Sequence, residues 1–590
     1  MKNRQNKSKK ILSCFIRCSR ILFGTTPYYT CNIIICIVLI AIQPSVSVMI
    51  MRNIINSIQQ KDIPIQEILF LAAIYIFVDI TNGLILKLVS YLSFVVEKKS
   101  SINVSTVILE KTKELDLSDF ENMNTYDLIQ RAQNESNGKI FGYFMSFLSI
   151  FQALIIVISN FLIVKSWSIF IVLFLAIITL IRMIFLIKLG GEKHSILRER
   201  THKERERWYY QFLLTNDIAF KEIKIYDLYQ YFIDKFKNLS NIFYDQDKNI
   251  SKKQFTIDTL FSVIDSALSG VVFCLLIISS KIGRLMIGDI VGYMSSISNI
   301  KNNIENFCLS IANICESTLY VSQLFELLDI NSRRSIENGK VEIDQIKRIE
   351  LINVNFKYSG KDEYALKNIN LLFEKNKMVF LVGKNGSGKS TLVKLISGYY
   401  QNYEGDILVN GINLREINLK QYQEKLGILL QDFMMYELPL RSNVALSNLR
   451  YYNDDKEING LLHSVGFTKY DTLDMQLGYW FENGHQLSRG EWLKIALARA
   501  FMKDADIYIA DEPNSSLDAI SESEIMQYFR HLIRGKICII VTHKMSNIVT
   551  SVGNIIVMNN GQVMQMGTHD YLMKNCSIYS ELFHCEPSNN

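Results

Sequence analysis

The sequence predicts two domains of different class: an α-helical membrane domain of six spans, then an α/β domain built around a phosphate-binding loop. Three observations predict this. The 590-residue chain is 49% hydrophobic, too apolar for an ordinary soluble protein. Six apolar segments lie near 30–51, 66–90, 141–164, 167–189, 257–280 and 289–315, each close to the ~20 residues that a bilayer core demands. Residues 383–391 read Gly-Lys-Asn-Gly-Ser-Gly-Lys-Ser-Thr, between an apolar run from Met378 to Val382 and a helical pattern from Leu392 to Ile396. That is the strand–loop–helix setting in which backbone N–H groups and a helix N-terminus cradle a polyphosphate.

Taken in order, residues 1–28 form an N-terminal helix at a membrane interface. The chain opens with Lys2, Arg4, Lys7, Lys9 and Lys10, and an amphipathic stretch from Ile11 to Phe23 is broken by Arg17 and Arg20. No clean apolar core precedes a small-residue cleavage site, which argues against a signal peptide and for an interfacial helix. Residues 29–318 hold the six spans. The loops 91–140 and 190–256 are long and rich in Lys and Arg, whereas the other loops are short and carry few. The positive-inside bias therefore puts the long loops and both termini in the cytoplasm of a multi-pass protein of the cell membrane. The long loops are expected to continue the helices, each with a short docking helix, near 124–129 and near 216–222. Charges inside spans are costly. Asp79 and Asp265 either face a water-filled cavity or pair between helices, and Pro44 kinks the first span. The ten cysteines have no metal spacing; several, such as Cys31, Cys36 and Cys274, fall in apolar runs and read as reduced, buried hydrophobes. A net charge of +6 implies no nucleic-acid partner.

Residues 319–346 are polar and read as a linker. From 347 to 586 short β-branched strands alternate with helices, an α/β domain, and 587–590 are a tail. Within that domain Gly383, Lys384, Asn385, Gly386, Ser387 and Gly388 form the loop. Lys389 reaches the phosphates, Ser390 offers a hydroxyl to Mg²⁺, and Thr391 follows. The run Ile507 to Ala510 delivers Asp511 and Glu512 at a strand end. Asp511 is placed to hold the metal and Glu512 to polarise an attacking water.

The order of these motifs resembles an ATP-binding-cassette (ABC) exporter with fused membrane and nucleotide-binding domains, of the P-loop NTPase class. The resemblance covers the chain after residue 28. It implies that Gln431, in Leu429-Leu430-Gln431-Asp432, is the glutamine that senses Mg²⁺ and couples to the membrane helices. It makes Leu487-Ser488-Arg489-Gly490-Glu491 the signature loop, whose Ser488 and Gly490 contact the γ-phosphate held by the opposite subunit. Asp518 belongs to the D-loop, His543 is the switch histidine, and Tyr358 stacks on adenine. The loop helices match the family's coupling helices. The signature departs from Leu-Ser-Gly-Gly-Gln at Arg489 and Glu491. Lys389, Asp511, Glu512 and His543 are all present, so an active ATPase is expected, with ATP and Mg²⁺ as cofactors.

Tyr436-Glu437-Leu438, Trp480-Phe481-Glu482-Asn483-Gly484 and Trp492 look like exporters of lantibiotic-type peptides. The expected activity is ATP-driven export of a modified peptide by alternating access, with a second copy or a related half-transporter as partner. About 28 residues before the first span leave no room for a protease domain, so leader removal is expected elsewhere. The alternatives are an exporter or flippase of lipids or hydrophobic small molecules, and an ATP-gated regulator that moves no solute.

Overall fold

The structure, a computed structural model, describes residues 2–60, 62–135, 138–167, 169–283, 285–330, 339–470, 472–513, 519–532, 534–543 and 554–584. It divides into two compact units. One comprises Met1–Lys113 with Asp127–Ile330, the other Glu114–Tyr126 with Asn331–Asn590.

The first 330 residues are helical: α1 (Lys2–Thr25), α2 (Pro27–Gln59), α3 (Ile65–Glu114), α4 (Leu117–Glu121), α5 (Met123–Glu135), α6 (Lys139–Lys165), α7 (Ile169–Thr215), α8 (Asp217–Ile225), α9 (Tyr229–Lys281) and α10 (Ile287–Leu328). Each of the six apolar segments sits in one long helix. Among the described residues four of these, α2, α3, α6 and α9, are long and apolar enough to cross a membrane. Helix α10 is interrupted by Asp289, Lys301 and Glu305, which lowers its hydropathy. It also runs to Leu328, into the stretch read as linker; residues 331–338 of that linker lie outside the described residues. Helix α2 passes through Pro44 without a break.

Apolar helices in lipid gain little from apolar contact with one another, so polar side chains fix their register. Ser45 on α2 hydrogen-bonds Ser159 on α6 at 2.5 Å and accepts from Asn160 Nδ2 at 2.9 Å. Asn299 on α10 donates to Asn160 at 3.3 Å. A second network joins α7, α9 and α10. The Arg182 guanidinium donates to both Glu305 oxygens at 2.9 and 3.1 Å and to Asp258 at 3.1 Å. Lys301 lies 3.8 Å from the Asp265 carboxylate. Asp265 is thus an interhelical ion-pair partner, one of its two expected roles. Asp79 is exposed on α3 and has no partner among the described residues. Cys14, Cys18, Cys36 and Cys308 are buried, but Cys31, Cys274 and Cys315 are exposed on this single chain, contrary to the uniform burial expected.

The second unit contains two sheets. One is antiparallel with strand order β2-β1-β4-β5: β1 (Arg348–Phe356), β2 (Leu366–Glu374), β4 (Glu404–Val409) and β5 (Ile412–Asn413). The other has strand order β10-β9-β3-β8-β7-β6: β3 (Lys377–Val382), β6 (Leu426–Leu429), β7 (Ile507–Asp511), β8 (Ile537–Val541), β9 (Ile555–Asn559) and β10 (Gln562–Gly567). Strands β9, β3, β8, β7 and β6 pair in parallel. A parallel sheet is covered on both faces, which accounts for its unbroken apolar runs. Met378, Phe380, Tyr508, Ala510 and Ile540 enter one core, while Val379, Leu381, Ile507, Ile509 and Ile539 enter the other.

The start of α10 offers a stability test. Asp289 accepts from the Met286 backbone N–H at 2.9 Å, Arg52 Nε at 2.6 Å and Asn56 Nδ2 at 3.1 Å. Removing a carboxylate that caps a helix and pairs a cation leaves Arg52 without its counter-ion. Asp289→Ala should cost about 2–4 kcal/mol, read as a lower thermal midpoint in detergent micelles, with Asp289→Asn falling between variant and wild type.

Candidate functional site

The site is built by sheet topology. In the register of β3, β8, β7 and β6, Leu381 pairs with Val541, Val541 with Asp511, and Ala510 with Leu429. The C-terminal ends of four adjacent parallel strands therefore deliver, side by side, the phosphate loop, His543, Asp511 with Glu512, and Gln431. Loops beyond the carboxyl ends of such strands are where open α/β sheets place their ligands.

The loop folds as its glycines allow. Gly388 has φ 99° and precedes the helix Lys389–Ile396; a Cβ there would stand 2.8 Å from Leu366 Cδ2 and 3.0 Å from the Ala365 carbonyl oxygen. At Gly383 a Cβ would stand 2.2 Å from the Met558 carbonyl oxygen. Ser387 is buried, whereas Lys384, Asn385 and Gly386 are exposed at the rim. Lys389 is buried beneath the loop, and its ammonium donates to the carbonyls of Gly383 at 2.8 Å and Lys384 at 3.0 Å. Burial lowers its pKa, and the charges of Glu512 and Asp511 oppose that shift. Asp511 is only 3% exposed. Burial raises its pKa, while a hydrogen bond with Ser390 and the charge of Lys389 pull the other way. Its Oδ1 atom is buried with no hydrogen-bond partner.

Glu512 has φ 52°, a left-handed backbone that is uncommon for glutamate. Its N–H donates to Val541 at 2.9 Å, which holds the residue past the strand end. One carboxylate oxygen accepts from Gln431 Nε2 at 3.0 Å, and the other lies 3.1 Å from His543 Nδ1. Three of the residues expected to act together are thus in direct contact. Strain of this kind collects at functional sites.

Tyr358 is half-buried; its hydroxyl shares a 2.9 Å hydrogen bond with Thr391, and its ring meets Tyr400 edge-on at 5.7 Å. Tyr400 was not legible as a functional residue. Its hydroxyl donates to Glu121 at 2.7 Å; Lys394 lies 4.0 Å from the same carboxylate, and Leu117 packs against the neighbouring core. The 124–129 stretch expected to form the first docking helix falls in α5, while the contacts with Tyr400 and Lys394 come from Glu121 on α4, in the same compact unit as those two residues. Helix α8 lies where the second was expected.

Ser488 caps the signature helix Arg489–Phe501. Its Oγ accepts from the Glu491 N–H at 3.3 Å, and Glu491 accepts from the Ser488 N–H at 2.7 Å. This reciprocal capping box explains why glutamate serves where the family has glutamine. Burial pushes the Glu491 pKa up, but Lys469 at 2.8 Å and the Ser488 bonds outweigh it and hold the carboxyl below its usual range. Lys469 was not anticipated. Arg489 is exposed, with no ion-pair partner among the described residues, and Gly490 follows it in the first turn. Two separate sequence features prove to be one structure: Glu437 accepts from the N–H groups of Tyr479 and Trp480, both at 2.8 Å. Asp518 lies outside the described residues.

A family described as ABC transporter matches residues 366–515. The chain is 34% identical over 574 residues to the nisin transport ATP-binding protein of Lactococcus lactis subsp. lactis, covering 96% of this chain and 95% of that protein. The chain belongs to the ABC transporter family. It is 33% identical to the subtilin transport ATP-binding protein of Bacillus subtilis, over 92% of this chain and 89% of that one. Similarity to the ATP-dependent lipid A-core flippase of Escherichia coli is 29%, over 61% of this chain and 62% of the flippase. A solved structure of a bacterial Atm1-family ABC exporter with ATP bound shares the fold, at TM-score 0.81 and 16% identity over 96% of this chain and 100% of that one. This ABC transporter is a membrane protein with an ATP-binding domain, and it couples ATP hydrolysis to transport.

The Asp511 environment predicts a pH-dependent stability. A carboxyl whose folded pKa is raised favours the protonated native state, so ionisation weakens the fold as pH climbs through the carboxylate range. Asp511→Asn should raise the melting temperature of the nucleotide-free protein at pH 7 by roughly 2–4 °C. The gap should close as pH falls toward about 4, where the unfolded carboxyl also takes up its proton. Melting curves of both proteins across that range check this.

Proposed function

We propose that this ABC transporter exports a modified peptide, as a pair of identical chains, with its nucleotide-binding domains in the cytoplasm. The observation that carries the cargo reading is the extent of likeness. Similarity to the nisin and subtilin transport proteins runs through the membrane half as well as the ATPase half, covering 96% and 92% of this chain. Similarity to the lipid flippase covers 61%. Cargo is chosen by membrane helices, so the membrane half is the informative part.

The roles follow from the geometry. Tyr358 flanks the adenine side, where its ring edge meets Tyr400 and its hydroxyl meets Thr391. Backbone N–H groups of 383–388 and the Lys389 ammonium take the phosphates. Asp511 Oδ1, buried and unpartnered beside Ser390, fits a hard divalent cation, with Gln431 at the same strand ends. Mg²⁺ held there would neutralise charge on the phosphates. Among the described residues no group of three His, Cys, Asp or Glu side chains could hold a metal alone, so a cation here would need phosphate oxygens as well. Glu512 orients the attacking water, and His543 and Gln431 set the direction of its carboxylate.

No hydrogen bond or ion pair joins the signature helix to the phosphate loop among the described residues. Ser488, Gly490 and Arg489 are therefore available to the nucleotide of a second copy. Asp79, exposed and unpartnered in an apolar helix, also supports a second copy or a water-filled cavity beside it, because a carboxylate facing lipid is costly.

Glu512→Gln should lower ATP hydrolysis about 100-fold or more while leaving ATP binding intact. In lipid, a modified peptide should stimulate the wild-type ATPase and lipids or dyes should not; stimulation by lipids alone would favour the flippase reading. Tyr400→Phe keeps the ring contact with Tyr358 but loses the bond to Glu121. Its basal hydrolysis should stay within about twofold of wild type, while stimulation by peptide falls, because α4 no longer holds the strand-end region through that hydroxyl.

A further inference from the structure

A cavity of about 240 Å³ lies where α1, α3 and α10 meet, within the helical unit. Its wall is largely apolar, from Ile21, Val104, Val107, Leu324 and Leu328, with Asn103 beside them and Arg17 and Arg20 at its edge.

The membrane level of this cavity is set by α1 and α6. Tyr143 donates to the Ile11 carbonyl at 3.0 Å, and the Phe15 ring lies 4.2 Å from that of Phe147 and 6.0 Å from that of Phe144. Helix α6 has 27 residues, about 40 Å, which matches one bilayer with its interfaces. Its first two turns, and α1 lying across them, therefore sit in an interfacial layer. Only Thr26 separates α1 from the first span.

The exposed side of α1 fits that layer. Cys14, Cys18 and Leu22 are buried toward the protein, while Leu12, Ile16 and Phe23 are exposed together with Lys9 and Arg20. Apolar and basic side chains on one outward face are the mark of a helix resting on headgroups.

The charges at the cavity are unequal in their commitments. Arg17 is engaged by Asp329 through two bonds at 2.6 and 2.8 Å and lies over the Phe325 ring at 4.1 Å. Lys10 is taken by Glu326 at 3.0 Å. Those pairs consume Glu326 of α10 and Asp329 just past its end. Arg20 has no partner among the described residues. The remaining charge at the mouth is positive, above a pocket that only hydrocarbon fills well.

We propose that this cavity is a phospholipid site. An anionic headgroup sits on the Arg20 guanidinium, and the adjoining end of one acyl chain lies against Ile21, Val107, Leu324 and Leu328. A phosphodiester with a further negative headgroup matches the free cation, and a methylene chain matches the wall. The bound lipid would join the interfacial helix to α3 and α10, the two long helices that lead out of the apolar layer. The site requires only that the chain lie in a membrane. It does not depend on the identity of the cargo.

The test is native mass spectrometry of the full chain released from detergent micelles after titration with phosphatidylglycerol or phosphatidylcholine of matched acyl chains. The wild type should retain phosphatidylglycerol preferentially, one molecule per chain beyond the phosphatidylcholine level, and millimolar inorganic phosphate should not displace it. Arg20→Glu should weaken that retention about fivefold or more. Val107→Trp, which fills the cavity without touching the charge, should remove the same molecule. Equal retention of the two lipids by wild type, or wild-type retention by both variants, would overturn the site. ATP binding reports whether each variant is folded; should Val107→Trp fail that check, Arg20→Glu alone decides.

Discussion

The buried ammonium of Lys389 sets the terms for the rest of the nucleotide-binding unit. It is held under a loop whose own carbonyls accept from it, and it faces two carboxylates at the next strand end but one. Burial penalises that cation and penalises Asp511 as well. The two charges are tolerable because they face each other across the strand ends of one sheet, with only β8 between β3 and β7. ATP, which this domain binds, brings the anions that Lys389 lacks, and the buried, unpartnered Asp511 Oδ1 has the chemistry to accept a divalent cation. The parallel sheet, with two apolar cores on its faces, is what keeps these groups in register without water to screen them.

The same sheet gathers several loops around one carboxylate. Glu512 is placed by a bond to Val541 on β8 and is touched by Gln431, at the end of β6, and by His543, beyond β8. Glu512 is therefore tied to three segments of the sheet's edge at once. A separate connection runs from Glu121 on α4 through Tyr400 and Tyr358 to Thr391, at the start of the phosphate-loop helix. Helix α4 and the phosphate loop are therefore joined by hydrogen bonds and ring contact within one compact unit.

Much of this was legible in the sequence, and the reason is local. The phosphate loop, strand β8 at Ile537–Val541 and the acidic end of β7 are written in contiguous residues whose chemistry and periodicity do not depend on distant partners. What escaped notice depends on contacts across the chain. Tyr400 looks like any aromatic near a helix end until Glu121, far away in sequence, is placed against it. Glu491 reads in the sequence only as a departure from the family's signature, but it closes a capping box and is neutralised by Lys469, which no motif marks. Arg182 carries no motif, and Asp265 admits two roles in the sequence, because an ion pair between spans has no sequence spacing. Helix α10 ran past its expected end because polar residues do not stop a helix that lacks a glycine or proline breaker.

The central claim is that ATP hydrolysis at these strand ends drives a peptide through the helices of the same chain. The most direct measurement is ATP-dependent accumulation of a labelled modified peptide inside sealed vesicles that carry the purified chain with its nucleotide-binding domains outward. The account predicts accumulation that requires ATP and stops when hydrolysis is blocked. Vesicles that consume ATP at the stimulated rate yet leave the peptide outside would contradict it.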